Sequence, residues 1–163
     1  MCAGLLAAPG VASFAQQADQ SPYAHDPRLA RLRDFFHGSG CPIRHLAGEF
    51  LLAADRNGLD WRLLPTISLV ETTCGKAATG NNLFGWDSGK KKYASVREGI
   101  HAVASRISQS KLYRGKDLDH ILATYNPRPQ YAALVKSVMR HLGPADPPAE
   151  LLAAQTQLSR PLP

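Results

Sequence analysis

The sequence predicts a mainly α domain with one short β-hairpin inserted between its helices. Three observations carry that expectation. Apolar residues recur at helical spacing through most of residues 26–143. These stretches are punctuated by capping residues, prolines and glycines. One segment, 76–94, leaves the helical period and places aromatic residues on either side of an Asp-Ser-Gly turn.

Asp26-Pro27 reads as an N-cap followed by proline at the first helical position, with Leu29, Leu32 and Phe36 at helical spacing before Gly38. A second helix is expected from about Pro42, with Ile43, Leu46, Phe50 and Ala53 on one face and Gly58 closing it. The third begins around Asp60 or Leu64, because Pro65 is tolerated only in a first turn; it carries Ile67, Leu69 and Val70 and ends at Gly75. Next, Asn81-Asn82-Leu83-Phe84-Gly85-Trp86 leads through Asp87-Ser88-Gly89 to Lys90-Lys91-Lys92-Tyr93, the expected hairpin. Ser95-Val96-Arg97-Glu98 is a capping box, and Val96, Ile100, Val103 and Ile107 form the apolar stripe of the helix it starts. A shorter helix over 117–125 carries Leu118, Ile121, Leu122 and Tyr125. The last, from Pro129 to Leu142, turns Tyr131, Leu134, Val135, Val138 and Leu142 inward and stops at Gly143.

A chain of 163 residues accommodates one such domain with loose ends. Residues 1–15 carry no charge, and the apolar run 2–12 followed by Ser13-Phe14-Ala15 has the form of a signal peptide lacking its basic start. Residues 16–25 read as a flexible N-terminus and 144–163 as a Pro/Ala-rich tail, which leaves 26–143 as the folded unit. No apolar run reaches the roughly 18 residues of a membrane span. The net charge of +6 points to an anionic partner. Nucleic acid is disfavoured, because no helix-turn-helix pattern, zinc-finger spacing or aromatic RNA-binding strand is present. The expectation is a monomer that needs no cofactor and no metal, located outside the cytoplasm, secreted or periplasmic.

Cleavage after residue 15 would leave two cysteines, Cys41 and Cys74, and an even count suits an oxidising compartment. A bridge between them closes a loop of about 33 residues, worth about 3–4 kcal/mol in the chain-entropy model. Two other readings stand beside it. His37, Cys41 and His45 recur every four residues and with Cys74 make a Cys2His2 zinc set, although Gly38, Gly40 and Pro42 break any helix that would align them. Alternatively, Cys74 is a nucleophile awaiting a histidine.

Glu71 stands out in the third helix. It follows Ile67 by one turn and Leu64 by two, on their face. A carboxylate on an apolar face costs several kcal/mol if ionised and unpartnered. It therefore finds a partner, as an ordinary capping or salt-bridged glutamate does, or it carries its proton. A protonated carboxyl near neutral pH is what general-acid cleavage of a glycosidic bond requires.

The residues after Glu71 favour the second reading. Glu71-Thr72-Thr73-Cys74-Gly75-Lys76, followed by Gly80-Asn81-Asn82-Leu83-Phe84-Gly85-Trp86, resembles the glucosaminidase domains of bacterial cell-wall hydrolases, glycoside hydrolase family 73. That family carries an E-S-x-x-G-x-S-like motif at a helix end, with N-L-F-G shortly after. Tyr125-Asn126-Pro127 with Pro129 and Tyr131 is similar to the family's Y-A-x-D-P-x-Y and to the Y-N motif of lytic transglycosylases, which share the lysozyme-like fold. The resemblance covers about residues 42–142. It implies an α+β lysozyme-like domain and cleavage of the β-1,4-linked N-acetylglucosamine/N-acetylmuramic acid backbone of peptidoglycan. Glu71 would be the general acid. Tyr125 would be a phenol near the carboxyl, donating to it or to the sugar. Asn82 would hold its loop or an acetamido group, Asn126 would lie at the substrate, and Trp86 and Tyr131 would stack on sugar faces.

The sequence departs from the family pattern after Glu71, where Thr72 and Cys74 replace the usual serine and aromatic residue. The hairpin is also short where the family often keeps a second acid. Asp87, in the turn itself, is the only acid between Gly85 and Glu98 and becomes the second catalytic candidate. Two further outcomes remain open: a transglycosylase giving 1,6-anhydro products, and a wall-binding module without turnover. Lys90–Lys92, Arg97, Lys111, Arg114 and Lys116 would meet wall anions or simply form a solvated surface.

Overall fold

Local capping chemistry sets most helix starts. The computed structural model describes residues 22–145, which hold six α-helices. Helix α1 spans Pro27–Gly38, with the Asp26 carboxylate accepting from the Arg28 amide. A 3-10 turn over Arg44–Leu46 leads into α2, Ala47–Arg56, so the second helix begins with a tight turn where the sequence predicts a continuous helix from Pro42. Helix α3 is Leu63–Thr72, α4 Val96–Gln109, α5 Leu118–Tyr125 and α6 Pro129–Leu142. At α4 the Ser95 hydroxyl accepts from the Glu98 amide at 3.1 Å, while the Glu98 carboxylate reaches back to the Ala94 amide at 2.6 Å, one residue before the cap. Asp117 caps α5 through the His120 amide.

Helix α3 is buried nearly all round: Leu63, Leu64, Pro65, Thr66, Ile67, Ser68 and Thr72 all lie in the interior. A helix enclosed in this way is under pressure to pair its own polar groups. Ser68 does so by donating to the Pro65 carbonyl at 2.8 Å, whereas the buried Thr66 hydroxyl finds no partner. Helices α2 and α6 flank α3, α4 packs on α2, and α5 packs on α6. Phe36 of α1, Phe50 of α2 and Phe84 run through the core, with ring centroids 5.2 and 6.4 Å apart. Each such fully buried side chain contributes about 1.5–3 kcal/mol.

The predicted hairpin is replaced by a loop. Among the described residues there is no strand, and 76–94 is a succession of turns. Gly80, Asn81, Gly85, Asp87, Ser88 and Gly89 all have positive φ, which a pleated strand cannot accommodate. The two limbs do approach one another, but asparagine side chains do most of the joining. The Tyr93 amide donates to the Gly80 carbonyl at 2.9 Å. The Asn81 amide then donates to the Tyr93 carbonyl at 2.9 Å, and that of Asn82 to the Lys91 carbonyl at 3.1 Å.

The folded part begins earlier than residue 26. Tyr23 is buried, its carbonyl accepts from the Asp26 amide, and its hydroxyl donates to Asp55 Oδ2 at 2.9 Å. Past α6, Arg62 donates to the Gly143 carbonyl and the Trp61 indole to that of Ala145. The leader expected over 1–15, residues 16–21 and the tail beyond Ala145 lie outside the described residues. Among those described, no helix is long and apolar enough to cross a membrane.

Candidate active site

The position of Glu71 follows from how α3 ends. Glu71 is the next-to-last residue of the helix, and Thr73, Cys74 and Gly75 then take left-handed backbone in succession. The amides of Thr73 and Cys74 fold back on the carbonyls of Leu69 and Ser68, which closes the helix. The sulfurs of Cys41 and Cys74 are 2.03 Å apart, a disulfide that ties this end to the segment after α1. The bridge consumes both cysteines, which rules out the zinc set and the nucleophilic Cys74. No cluster of metal-ligating side chains occurs among the described residues.

Thr72 fixes the loop to the helix. Its hydroxyl donates to the Leu83 carbonyl at 2.7 Å and accepts from the Gly75 amide at 2.9 Å. This brings Leu83-Phe84-Gly85 across the end of α3. Gly85, at φ +59°, then lies directly on Glu71: a Cβ there would stand 3.0 Å from Glu71 Oε2. The glycine of the N-L-F-G string is needed both for its backbone and for that close approach.

Around the carboxyl stand four aromatic rings. Trp86 meets Tyr125 edge-on at 5.5 Å and lies 6.0 Å from Tyr113, while Tyr125 and Tyr131 are parallel at 6.1 Å. Two hollows of about 510 and 660 Å³ meet at Glu71, Asn126 and Arg128. The first continues over Gly85, Trp86, Asp87, Ser88 and Tyr113, the second over Val70, Gln130, Tyr131 and Leu134. The pair forms a groove with the carboxyl at its middle, lined by ring faces on one side and aliphatic surface on the other.

The phenols divide their work differently from the expectation. The Tyr125 hydroxyl donates to the Phe84 carbonyl, so it braces the strip that carries Gly85. The Tyr131 ring is 6% exposed and its hydroxyl has no hydrogen bond of good geometry. Burial raises its pKa, and the adjacent Glu71 carboxylate raises it further through its charge and a near contact. Tyr125 is likewise pushed well up, first by burial and then by Tyr131 and Glu71. Both phenols are therefore neutral donors at any working pH. The Tyr131 ring is too enclosed to stack broadly on a sugar.

Asn82 is 1% exposed, and its amide is fully engaged within the loop. It donates to the carbonyls of Trp86 and Lys91 and accepts from the Trp86 amide at 3.0 Å. Of the two roles open to it, holding the loop is the one its contacts describe, and its burial keeps the amide from a sugar. Asp87 lies exposed in the turn at φ +54° and lines the same hollow as Glu71. Asn126 lines both hollows, with its Oδ1 accepting from the Arg128 amide. Among the predicted wall-facing cations, Lys90–Lys92 are exposed, Arg97 pairs with Glu49, and Lys116 donates to Thr124.

Tyr113 and Arg128 line the groove without having been singled out in the sequence. Each had a signal. Tyr113 is the one aromatic residue in the polar stretch 110–117, and Arg128 is a cation held between two prolines beside the Tyr125-Asn126 pair. Comparison with protein-family models, curated proteins and solved structures returned no match.

Proposed function

We propose that the protein is a peptidoglycan hydrolase of the N-acetylglucosaminidase type, with Glu71 as general acid. The observation that supports this most is the groove itself: a carboxyl seated midway along two joined hollows, pressed against a glycine and walled by aromatic rings. Sugar-binding clefts need flat apolar faces for pyranose rings beside a few fixed polar groups. In this reading Glu71 gives its proton to the glycosidic oxygen, the C1–O bond breaks with its electron pair going to that oxygen, and a water oxygen bonds to C1. Asp87, the other acid of the groove, takes the proton from that water. The Tyr131 hydroxyl, beside the carboxyl, donates to Glu71 as charge moves. The enzyme acts outside the cytoplasm as a monomer without a cofactor, consistent with the cystine beside the site.

The test is digestion of isolated sacculi by the parent and by Glu71→Gln. The parent should release muropeptides and the variant almost none. Capture on sacculi without release by either protein would identify a binding module. Asp87→Asn should lower kcat by about 10²-fold or more, as loss of a general base does. An unchanged rate would transfer that role to the substrate's own acetamido oxygen. Products ending in a 1,6-anhydro sugar, lighter by one water, would mean a transglycosylase.

A further inference from the structure

We propose that Arg128 is a carboxylate-binding subsite beside Glu71, and that the sugar seated over Val70, Tyr131 and Leu134 is one bearing an acidic substituent. This rests on the peptidoglycan reading and narrows its substrate. Arg128 lines both hollows and, among the described residues, is the one cation lining either of them. No carboxylate of the described residues pairs with Arg128, as is true of several other arginines of the surface, but Arg128 is the one that stands at the groove. Its backbone is pinned. Pro127 and Pro129 flank it, it takes the extended conformation required before proline (φ −65°, ψ 127°), and its amide donates to Asn126. The residue is thus rooted at the lip of the groove by its backbone, with its side chain exposed.

Charge supplies a second argument. Asp87 lines the groove and repels an anionic substrate, so binding one there calls for a cation at the same place. A guanidinium fork matches a carboxylate in geometry as well as sign. The surrounding Val70 and Leu134 offer aliphatic surface to a methyl group. A carboxylate and a methyl on one short ether branch describe the lactyl group of muramic acid. That carboxylate is free only where the peptide stem has been removed; on intact strands the stem's own carboxylates carry the same charge.

The experiment compares the full chain with Arg128→Ala and Arg128→Lys on three substrates: peptide-free glycan strands, stem-bearing strands and neutral chitin oligosaccharides. Arg128→Ala should lower kcat/KM on peptide-free strands tenfold or more and change chitin cleavage by less than twofold, with Lys intermediate. A loss confined to stem-bearing strands keeps the carboxylate subsite and assigns the charge to the stem. Equal losses on charged and neutral substrates overturn the proposal. Calorimetry of peptide-free muramyl saccharides on Glu71→Gln, with and without Arg128→Ala, reads the subsite apart from turnover. A tenfold weaker Kd supports it even if the parent cleaves nothing, which would sink only the hydrolase reading. Binding that is absent, or indifferent to Arg128, sinks the subsite.

Discussion

Gly85 and Glu71 are in direct contact, so closely that a methyl group on the glycine would sit 3.0 Å from the carboxylate oxygen and 3.7 Å from Glu71 Cβ. Two residues fourteen positions apart are thereby made to share one space, and the carboxyl is held by the backbone of a loop as much as by its own helix. Gly85→Ala adds both the bulk and the left-handed strain, about 1–2 kcal/mol for the backbone alone. Stability to urea should fall by about that amount, while release from sacculi falls far more, because the side chain displaced is the acid. Equal activity at matched folded fraction would show that the contact does not position Glu71.

Tyr125 and Tyr131 should separate cleanly. Tyr125→Phe leaves the Phe84 carbonyl without its donor and should cost about 1–3 kcal/mol of stability. Tyr131→Phe removes a hydroxyl that has no satisfied bond, so stability should hold or rise slightly while kcat falls. Urea unfolding and initial rates on the same samples distinguish them. The reverse pattern would return the catalytic phenol to Tyr125.

Reduction of Cys41–Cys74 lengthens the free loop by about 33 residues and should cost about 3–4 kcal/mol. The local effect should be larger at the site than elsewhere, since Cys74 lies three residues past Glu71. Amide exchange of the intact and Cys41→Ser/Cys74→Ser proteins measures this. Protection should drop first over residues 68–75, and a uniform drop would refute the local effect.

Tyr23 provides an alkaline signature. Burial first, then its hydrogen bond to Asp55, raises its pKa to about 12 from an ordinary 10. The unfolded chain therefore ionises this phenol before the folded protein does. The stabilisation is whole below pH 10 and is lost as pH rises from 10 through 12. In Tyr23→Phe the fall in urea midpoint across pH 9–11.5 should be shallower than in the parent. Parallel curves would mean that Tyr23 titrates alike in both states.

Helix starts are legible in the sequence because capping is local: Asp26, Ser95 and Asp117 each reach an amide two or three residues away. Glu71 stands out by its place on an apolar face, but its candidacy as the acid comes from the motif resemblance and not from that place. The loop over 76–94 is not legible, because alternation and a turn signal cannot reveal that buried amides would take over the pairing. That outcome depends on Thr72 reaching Leu83 and on Asn82 being enclosed, both consequences of tertiary packing. The hydrogen bonding of the two tyrosines is hidden for the same reason. The motif resemblance sets both at the site, but which hydroxyl finds a carbonyl depends on where Phe84 lies.

Closure of that loop by asparagine side chains has a bearing on solubility. A regular hairpin at the surface would present a row of unpaired backbone donors and acceptors on which another chain could add a strand. Here the positive-φ turns interrupt any such row, and the carbonyls of Trp86, Lys91 and Tyr93 are already occupied from within. With three consecutive lysines on the outer limb, the loop gives the edge of a neighbouring molecule nothing to template on.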